Sequence, residues 1–193
     1  AEVGAAVVGA HTVAINIASV FFMLPLSIGL AAATRIGNLV GEKNLTQAQY
    51  ASYVTVLVCF AGACFNTVCI FTLRDSLVSL YSGDIEVIAI AVNLLLFAAI
   101  FQIPDGLQMG ALGSLRGYKD TFAPMLMLIV TYWFIALPVG YFLTYFGILG
   151  NPLGAAGIWI GMITGLVLFS TLIIPRLNYT SNKFILKASQ EPL

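Results

Sequence analysis

Long apolar runs separated by short polar segments make up most of this chain. A helix needs about 20 mostly apolar residues to cross a lipid bilayer, and each run reaches that length. The uncharged stretch 121–175 is too long for one crossing, and residues 147–154, which are dense in glycine, asparagine and proline, divide it. We therefore predict an all-α integral membrane fold with five transmembrane helices. The predicted spans are residues 11–33, 51–73, 87–115, 122–144 and 155–175.

The composition supports a membrane protein. The chain is 60% hydrophobic and only 8% charged, and its mean hydropathy is +1.00, whereas about a quarter of the residues in a soluble domain are charged. We therefore expect the lipid bilayer as a partner. Because the sequence contains no basic run, we do not expect nucleic acid as one.

Basic residues lie mainly on one side of the predicted spans. Loops 34–50 and 116–121 and the tail 176–193 fall on the same side and hold seven of the eight basic residues. By the positive-inside rule, the C-terminus is expected in the cytoplasm and the N-terminus of this chain outside. An odd number of spans with an outside start, and a first residue that is not methionine, lead us to expect that further helices precede this segment.

Asp105 is the only formal charge in the third span. An aspartate inside a span costs about 2.5 to 3.5 kcal/mol on insertion scales unless it faces protein or a wet cavity. Pro104 has no backbone N–H and so frees a helical carbonyl, while Gly106 allows another segment to come close. We therefore predict that Asp105 is a functional site that binds a cation.

Polar and aromatic side chains share the helical stripe of Asp105. Phe101 lies one turn before the acid and Gln108 one turn after it, with Gln102 one position off the stripe. An alternative is that the acid pairs with a basic residue of another helix. No predicted span of this chain contains lysine or arginine, although preceding helices could supply one.

The first span carries a second polar stripe, formed by Thr12, Asn16 and Ser19. These side chains could face a polar cavity, or they could hydrogen-bond to a neighbouring helix. His11 lies at the end of the same span, where either an interfacial position or a proton-relay role fits an imidazole. Both alternatives remain open from the sequence.

Small residues and prolines recur in the spans. Gly157, Gly161 and Gly165 lie four residues apart, on one helix face, and predict close helix packing. Pro25 and Pro138 are candidate hinges.

The sequence argues against an enzyme. A membrane aspartic protease needs two acids that share a proton, and these spans contain one. The single histidine lies at a span end, and no GxSxG turn or phosphate loop is present. Three cysteines lack a CxxC spacing, so neither a thiolate metal site nor another cofactor is expected.

Eight stretches, in order along nearly the whole chain, match a known pattern. They are 9–16 (GAHTVAIN), 22–29 (FMLPLSIG), 35–37 (RIG) with Gly41, 101–105 (FQIPD), 115–120 (LRGYKD), 132–133 (YW), 137–141 (LPVGY) and 152–159 (PLGAAGIW). Together they resemble helices 8 to 12 of the multidrug and toxic compound extrusion (MATE) transporters, most closely the bacterial NorM-like branch.

The resemblance implies a fold of twelve helices in two six-helix lobes. Residues 1–193 would then form part of the C-terminal transmembrane lobe, with helices 1–7 of the same transporter as partners. Asp105 matches the tenth-helix acid that couples transport to Na⁺ or H⁺, so Na⁺ is the metal expected there if the transporter is coupled to sodium. This branch often has tyrosine where Phe101 stands. The helix 7 acid that usually partners the tenth-helix acid is not in this chain, and Glu2 is not its equivalent.

The resemblance also implies a function. We expect multidrug efflux by secondary antiport in the cell inner membrane, exporting organic cations or drugs in exchange for Na⁺ or H⁺. Thr12, Asn16, Phe101, Gln102 and Gln108 are expected to line the cavity for the substrate or cation. Alternatives are a related flippase for lipid-linked oligosaccharides and a non-transporting scaffold subunit. A channel is also possible, although nothing resembles a selectivity filter.

Overall fold

The structure, a computed structural model, describes residues 4–146 and 151–190. Its helices are α1 (Ala5–Gly41), α2 (Leu45–Ser79), α3 (Ile85–Gly117), α4 (Phe122–Thr131), α5 (Leu137–Tyr145) and α6 (Ala155–Gln190). A π-helical segment, Tyr132–Ala136, joins α4 to α5. With α4, this segment and α5 taken as one unit, five helices of the described residues are long and apolar enough to cross a membrane. The predicted five-helix, all-α fold is confirmed.

The helices are longer than the apolar runs that predicted them. The first begins before His11 and continues to Gly41, and the last continues through the predicted tail to Gln190. At 1.5 Å per residue, the 36 residues of α6 are about 54 Å long, against roughly 30 Å for the hydrocarbon core. An apolar run therefore marks only the part of each helix inside the bilayer. Residues 147–150 of the predicted dividing loop lie outside the described residues.

Glycines of α3 allow its backbone to touch two neighbouring helices. A β-carbon added to Gly106 would lie 2.8 Å from the Cys59 carbonyl oxygen of α2, and one added to Gly113 would overlap the Gly29 backbone of α1. Such approaches are possible only where a side chain is missing. Helix α3 is therefore held firmly between α1 and α2.

The glycine row of α6 packs against α5 in the same way. A β-carbon would lie 2.6 Å from the Thr144 nitrogen if added to Gly157, and 2.5 Å from the Gly140 Cα if added to Gly161. The predicted packing role of these glycines is confirmed. The last helix thereby has a fixed position and rotation beside α5.

A polar junction joins α6 to the segment between α3 and α4. Arg176 Nε and Thr180 Oγ1 each donate to Asp120 Oδ2 at 2.7 Å. Burial alone would raise the pKa of Asp120, but these two hydrogen bonds and the positive charges of Arg176 and Lys183 lower it below its usual value. The junction fixes the C-terminal end of α3 to the C-terminal half of α6.

Candidate functional site

Asp105 is buried inside α3, with 4% of its surface exposed. Gln108, one helical turn further on, donates a hydrogen bond from Nε2 to Asp105 Oδ1 at 2.6 Å. Gln108 is itself 8% exposed, and its Oε1 atom is buried without a hydrogen bond to any described residue. The structure thus brings together two of the predicted site residues, which contribute a carboxylate and an amide oxygen.

Asp105 forms no ion pair within the described residues. The two ion pairs there are Arg74 with Asp75 and Arg176 with Asp120. An amide donor satisfies one carboxylate oxygen but leaves the negative charge uncompensated. Carboxylate and amide oxygens are suitable ligands for a hard cation, and a proton would neutralise the same group. The carboxylate therefore has the donor chemistry that a cation site needs.

The neighbours of Asp105 along the chain fix its position. Ser170 of α6 donates to the carbonyl oxygen of Pro104 at 2.8 Å. On the other side, Gly106 lies against Cys59 and Ala63 of α2. Because both flanking residues contact other helices, the carboxyl-bearing turn has little freedom to move.

No cluster of three or more His, Cys, Asp or Glu side chains suitable for a metal ion occurs in residues 4–146 and 151–190. The hydrogen bond described at the Asp105 carboxylate comes from the Gln108 amide.

Gln102 forms hydrogen bonds with two neighbouring helices. Its Nε2 donates to the Ala18 carbonyl of α1 at 3.2 Å, and Asn66 of α2 donates to Gln102 Oε1 at 3.5 Å. Asn66 also donates to the Phe21 carbonyl at 2.8 Å. That carbonyl has no helical donor because Pro25, four residues later, lacks an N–H. In the structure, Gln102 thus joins three helices and is not hydrogen-bonded to the Asp105 carboxylate.

Asn66 was missed by sequence reasoning. Two features of the sequence point to Asn66. It is an amide side chain inside an apolar span, and Pro25 in another span leaves one carbonyl free. Neither signal says which carbonyl an amide will reach, because that depends on how α1 and α2 pack.

Thr12 and Asn16 lie on the exposed face of α1. Thr12 donates to the Val8 carbonyl of its own helix at 2.9 Å. The structure does not bring these two residues to Asp105 within the described part of the chain. Their expected place in a substrate or cation cavity stays a prediction.

Phe101 packs against Trp159 of α6, with ring centroids 6.1 Å apart and planes at 88°. Trp159 also contacts His11 of α1 at 5.8 Å, in an edge-to-face arrangement. Three helices thus contribute to one aromatic cluster, which lies one turn from Asp105 toward the N-terminal end of α3. The stretch 152–159 contains Trp159, but no sequence signal assigns this residue to the site.

The π-helical segment begins at Tyr132 and ends at Ala136. The Leu137 N–H donates to the Tyr132 carbonyl, five residues back. Pro138 offers no N–H to continue the α-helical ladder, and a π turn accommodates that loss. Such π turns occur frequently at functional sites.

Comparisons with known proteins agree with this architecture. The MatE family model matches residues 1–142. The chain is 42% identical over 179 residues to the multidrug resistance protein NorM of Vibrio vulnificus, covering 93% of this chain and 39% of that protein. It is 37% identical over 179 residues to the multidrug resistance protein PmpM of Pseudomonas aeruginosa, covering 93% of this chain and 38% of that protein.

A solved structure shows the same fold. The crystal structure of the eukaryotic MATE transporter AtDTX14 superposes with a TM-score of 0.81 at 22% identity, covering 91% of this chain and 40% of that one. The chain spans about 39% of the length of the NorM relative. From the matched residues and the shared helical architecture, the chain belongs to the MatE family, whose members similar to it are multidrug transporters and not enzymes.

Proposed function

We propose that the full-length protein is a secondary antiporter that exports organic cations in exchange for Na⁺ or H⁺ bound at Asp105. The observation that carries this proposal is a carboxylate 4% exposed, inside a span and hydrogen-bonded to an amide. It forms no ion pair in the described residues. A permanent basic partner would leave no reason for a cation to bind.

Competition for the carboxylate supplies the coupling. A protonated or sodium-bound Asp105 carries no net negative charge and no longer attracts a cationic substrate. Entry of the coupling cation down its gradient would then favour release of the substrate, as the two lobes alternate access. The protein's own contribution is to keep the acid away from water and lipid, so that only a cation can compensate its charge.

The proposed location is the cell inner membrane, with the C-terminus in the cytoplasm. Seven of the eight basic residues of the sequence support this orientation. Substrates would thus move from the cytoplasmic side outward, and the coupling cation would move inward.

The test is drug export by the full-length protein in membrane vesicles, with sodium and proton gradients imposed separately. We expect Asp105→Asn to abolish export while membrane abundance stays the same. Asp75→Asn is the matched control, because it removes a carboxylate whose side chain is 79% exposed, and it should export normally.

Normal ion-driven export by Asp105→Asn would contradict the proposal. Loss of complex formation with another membrane protein, without any ion-dependent export in the unaltered protein, would instead favour a scaffold role. Export of a lipid-linked sugar in place of cations would favour the flippase.

A further inference from the structure

Gln108 is the hydrogen-bond partner of the Asp105 carboxylate, and both residues are buried. They are 8% and 4% exposed, and Gln108 Nε2 lies 2.6 Å from Asp105 Oδ1. An ionised carboxylate only accepts hydrogen bonds, so the nitrogen of the amide must face it. The other end of the same amide, Gln108 Oε1, is buried and makes no hydrogen bond to any described residue.

The buried amide oxygen needs a physical explanation. Folded proteins leave few buried polar atoms without a partner, because such an atom has lost its hydrogen bonds to water and gained none in return. Those that remain often belong to a functional site, where a water molecule or an ion is the partner. Gln108 Oε1 lies on the same amide that holds the proposed cation-binding carboxylate, so an ion at that carboxylate is a natural partner for it.

Covalent geometry keeps the amide oxygen close to the carboxylate. The oxygen and nitrogen of one amide are about 2.3 Å apart. Since Nε2 lies 2.6 Å from Asp105 Oδ1, Oε1 is at most about 5 Å from that oxygen. Na⁺ is close in size to Ca²⁺, which binds carboxylate and amide oxygens at about 2.3 to 2.6 Å. One such ion can therefore contact both oxygens at the same time.

The backbone on either side of Gln108 holds the amide in place. Gly106 and Gly110, two residues before and after it, lie against α2, where an added β-carbon would be 2.8 Å from the Cys59 carbonyl oxygen or the Val56 Cα. On an α-helix, residues two apart point in nearly opposite directions. The contact with α2 therefore directs the Gln108 side chain away from α2, to the side of α3 where it meets the carboxylate.

We propose that Gln108 Oε1 is a second oxygen ligand of the coupling cation and that it gives the site a preference for Na⁺ over H⁺. Sodium gains from each oxygen that replaces a water molecule of its hydration shell, whereas a proton bonds to one carboxylate oxygen alone. The amide can keep its N–H on Asp105 while its oxygen binds the ion, so Na⁺ enters without a rearrangement. A proton on Oδ1 would instead meet the same N–H, and two donors do not form a hydrogen bond.

The inference rests on the proposed function and narrows its coupling ion to Na⁺. The experiment measures the binding of radioactive sodium to the purified full-length protein in detergent. Gln108→Met removes the amide oxygen but keeps an unbranched side chain of similar length, and Gln108→Glu keeps an oxygen in the same place. The matched control is Asn93→Met, which removes an exposed amide from the same helix.

We expect Gln108→Met to raise the Na⁺ concentration for half-saturation about ten- to hundredfold, the range for the loss of one polar contact to a charged group. Gln108→Glu should stay within about threefold of the unaltered protein, because an oxygen ligand remains, and Asn93→Met should show no change. Unchanged Na⁺ binding by Gln108→Met would overturn the inference. So would an unaltered protein that binds no Na⁺ and is driven by protons alone.

A second measurement separates an ion ligand from a residue that only supports the fold. Infrared difference spectra recorded during acidification report the carboxylic acid C=O band of Asp105, which is identified by its loss in Asp105→Asn. Gln108→Met should keep this band, because a proton needs no amide oxygen. Loss of both the band and Na⁺ binding would indicate a damaged site and overturn the inference. Each of these results leaves the proposed function intact if Asp105→Asn still abolishes export. Normal export by Asp105→Asn would refute the function, whatever Gln108 shows.

Discussion

Asn66 provides the sharpest test of how this lobe tolerates a proline inside a span. Its side chain donates to the Phe21 carbonyl at 2.8 Å, which lacks a helical donor because of Pro25. Asn66→Ala removes that donor and leaves a carbonyl unsatisfied in a part-buried position between helices. The same change also removes the weaker bond to Gln102 Oε1 at 3.5 Å.

The expected cost follows from these contacts. An unsatisfied buried acceptor costs about 1 to 3 kcal/mol, whereas interhelical hydrogen bonds in membrane proteins average roughly 0.6 and reach about 1.7 kcal/mol. Because no helical N–H can replace Asn66 as donor to the Phe21 carbonyl, we expect a cost in the upper part of the interhelical range. Asn66→Ala should lower the free energy of unfolding by about 1.5 kcal/mol. In a Pro25→Ala background, the restored N–H of residue 25 can donate a helical hydrogen bond to the Phe21 carbonyl. The cost of Asn66→Ala should then fall by at least half.

The assay is a double-mutant cycle on the full-length protein, with the free energy of unfolding measured by denaturant titration in mixed micelles. Asn93→Ala is the control, because Asn93 is exposed and, among the described residues, its side chain bonds only to the Ala89 carbonyl of its own helix. It should change the free energy of unfolding by less than about 0.5 kcal/mol. An equal cost of Asn66→Ala with and without Pro25 would refute the reasoning.

Two further changes test other contacts of the fold. Gly161→Ala places a β-carbon 2.5 Å from Gly140 and should lower the free energy of unfolding by about 1 to 3 kcal/mol, whereas Gly83→Ala, which meets no atom within 4 Å, should have little effect. Because the native pKa of Asp120 is lowered, its stabilising contribution is full above the unfolded pKa of about 3.9 and is lost as the pH falls through the native value. Unfolding of the protein and of Asp120→Asn should therefore differ at neutral pH and converge in acid, and a constant difference across pH would contradict this assignment.

The helical fold and the carboxylate could be predicted from the sequence because both depend on local patterns. Apolar runs of bilayer length identify spans without knowledge of their neighbours. A single acid in such a run identifies Asp105, and helical periodicity places Gln108 one turn away. The two residues are hydrogen-bonded in the structure.

The remaining features depend on contacts between helices, which periodicity does not describe. Gln102 lies close to the helical stripe of Asp105. Its side chain nevertheless bonds to the Ala18 carbonyl of α1. Trp159 contacts Phe101 of α3 because glycines fix the rotation of α6 against α5. The π turn at Tyr132 reflects the missing N–H of Pro138. The sequence does not show whether a proline will produce a kink or a π turn in its helix.

The central claim is that Asp105 binds the coupling cation, and reversed transport tests it most directly. In proteoliposomes that contain the full-length protein, an imposed gradient of an organic cation should drive Na⁺ or H⁺ in the opposite direction. The account predicts this counterflow for the unaltered protein and for Asp75→Asn, and none for Asp105→Asn. Undiminished counterflow with Asp105→Asn would contradict it.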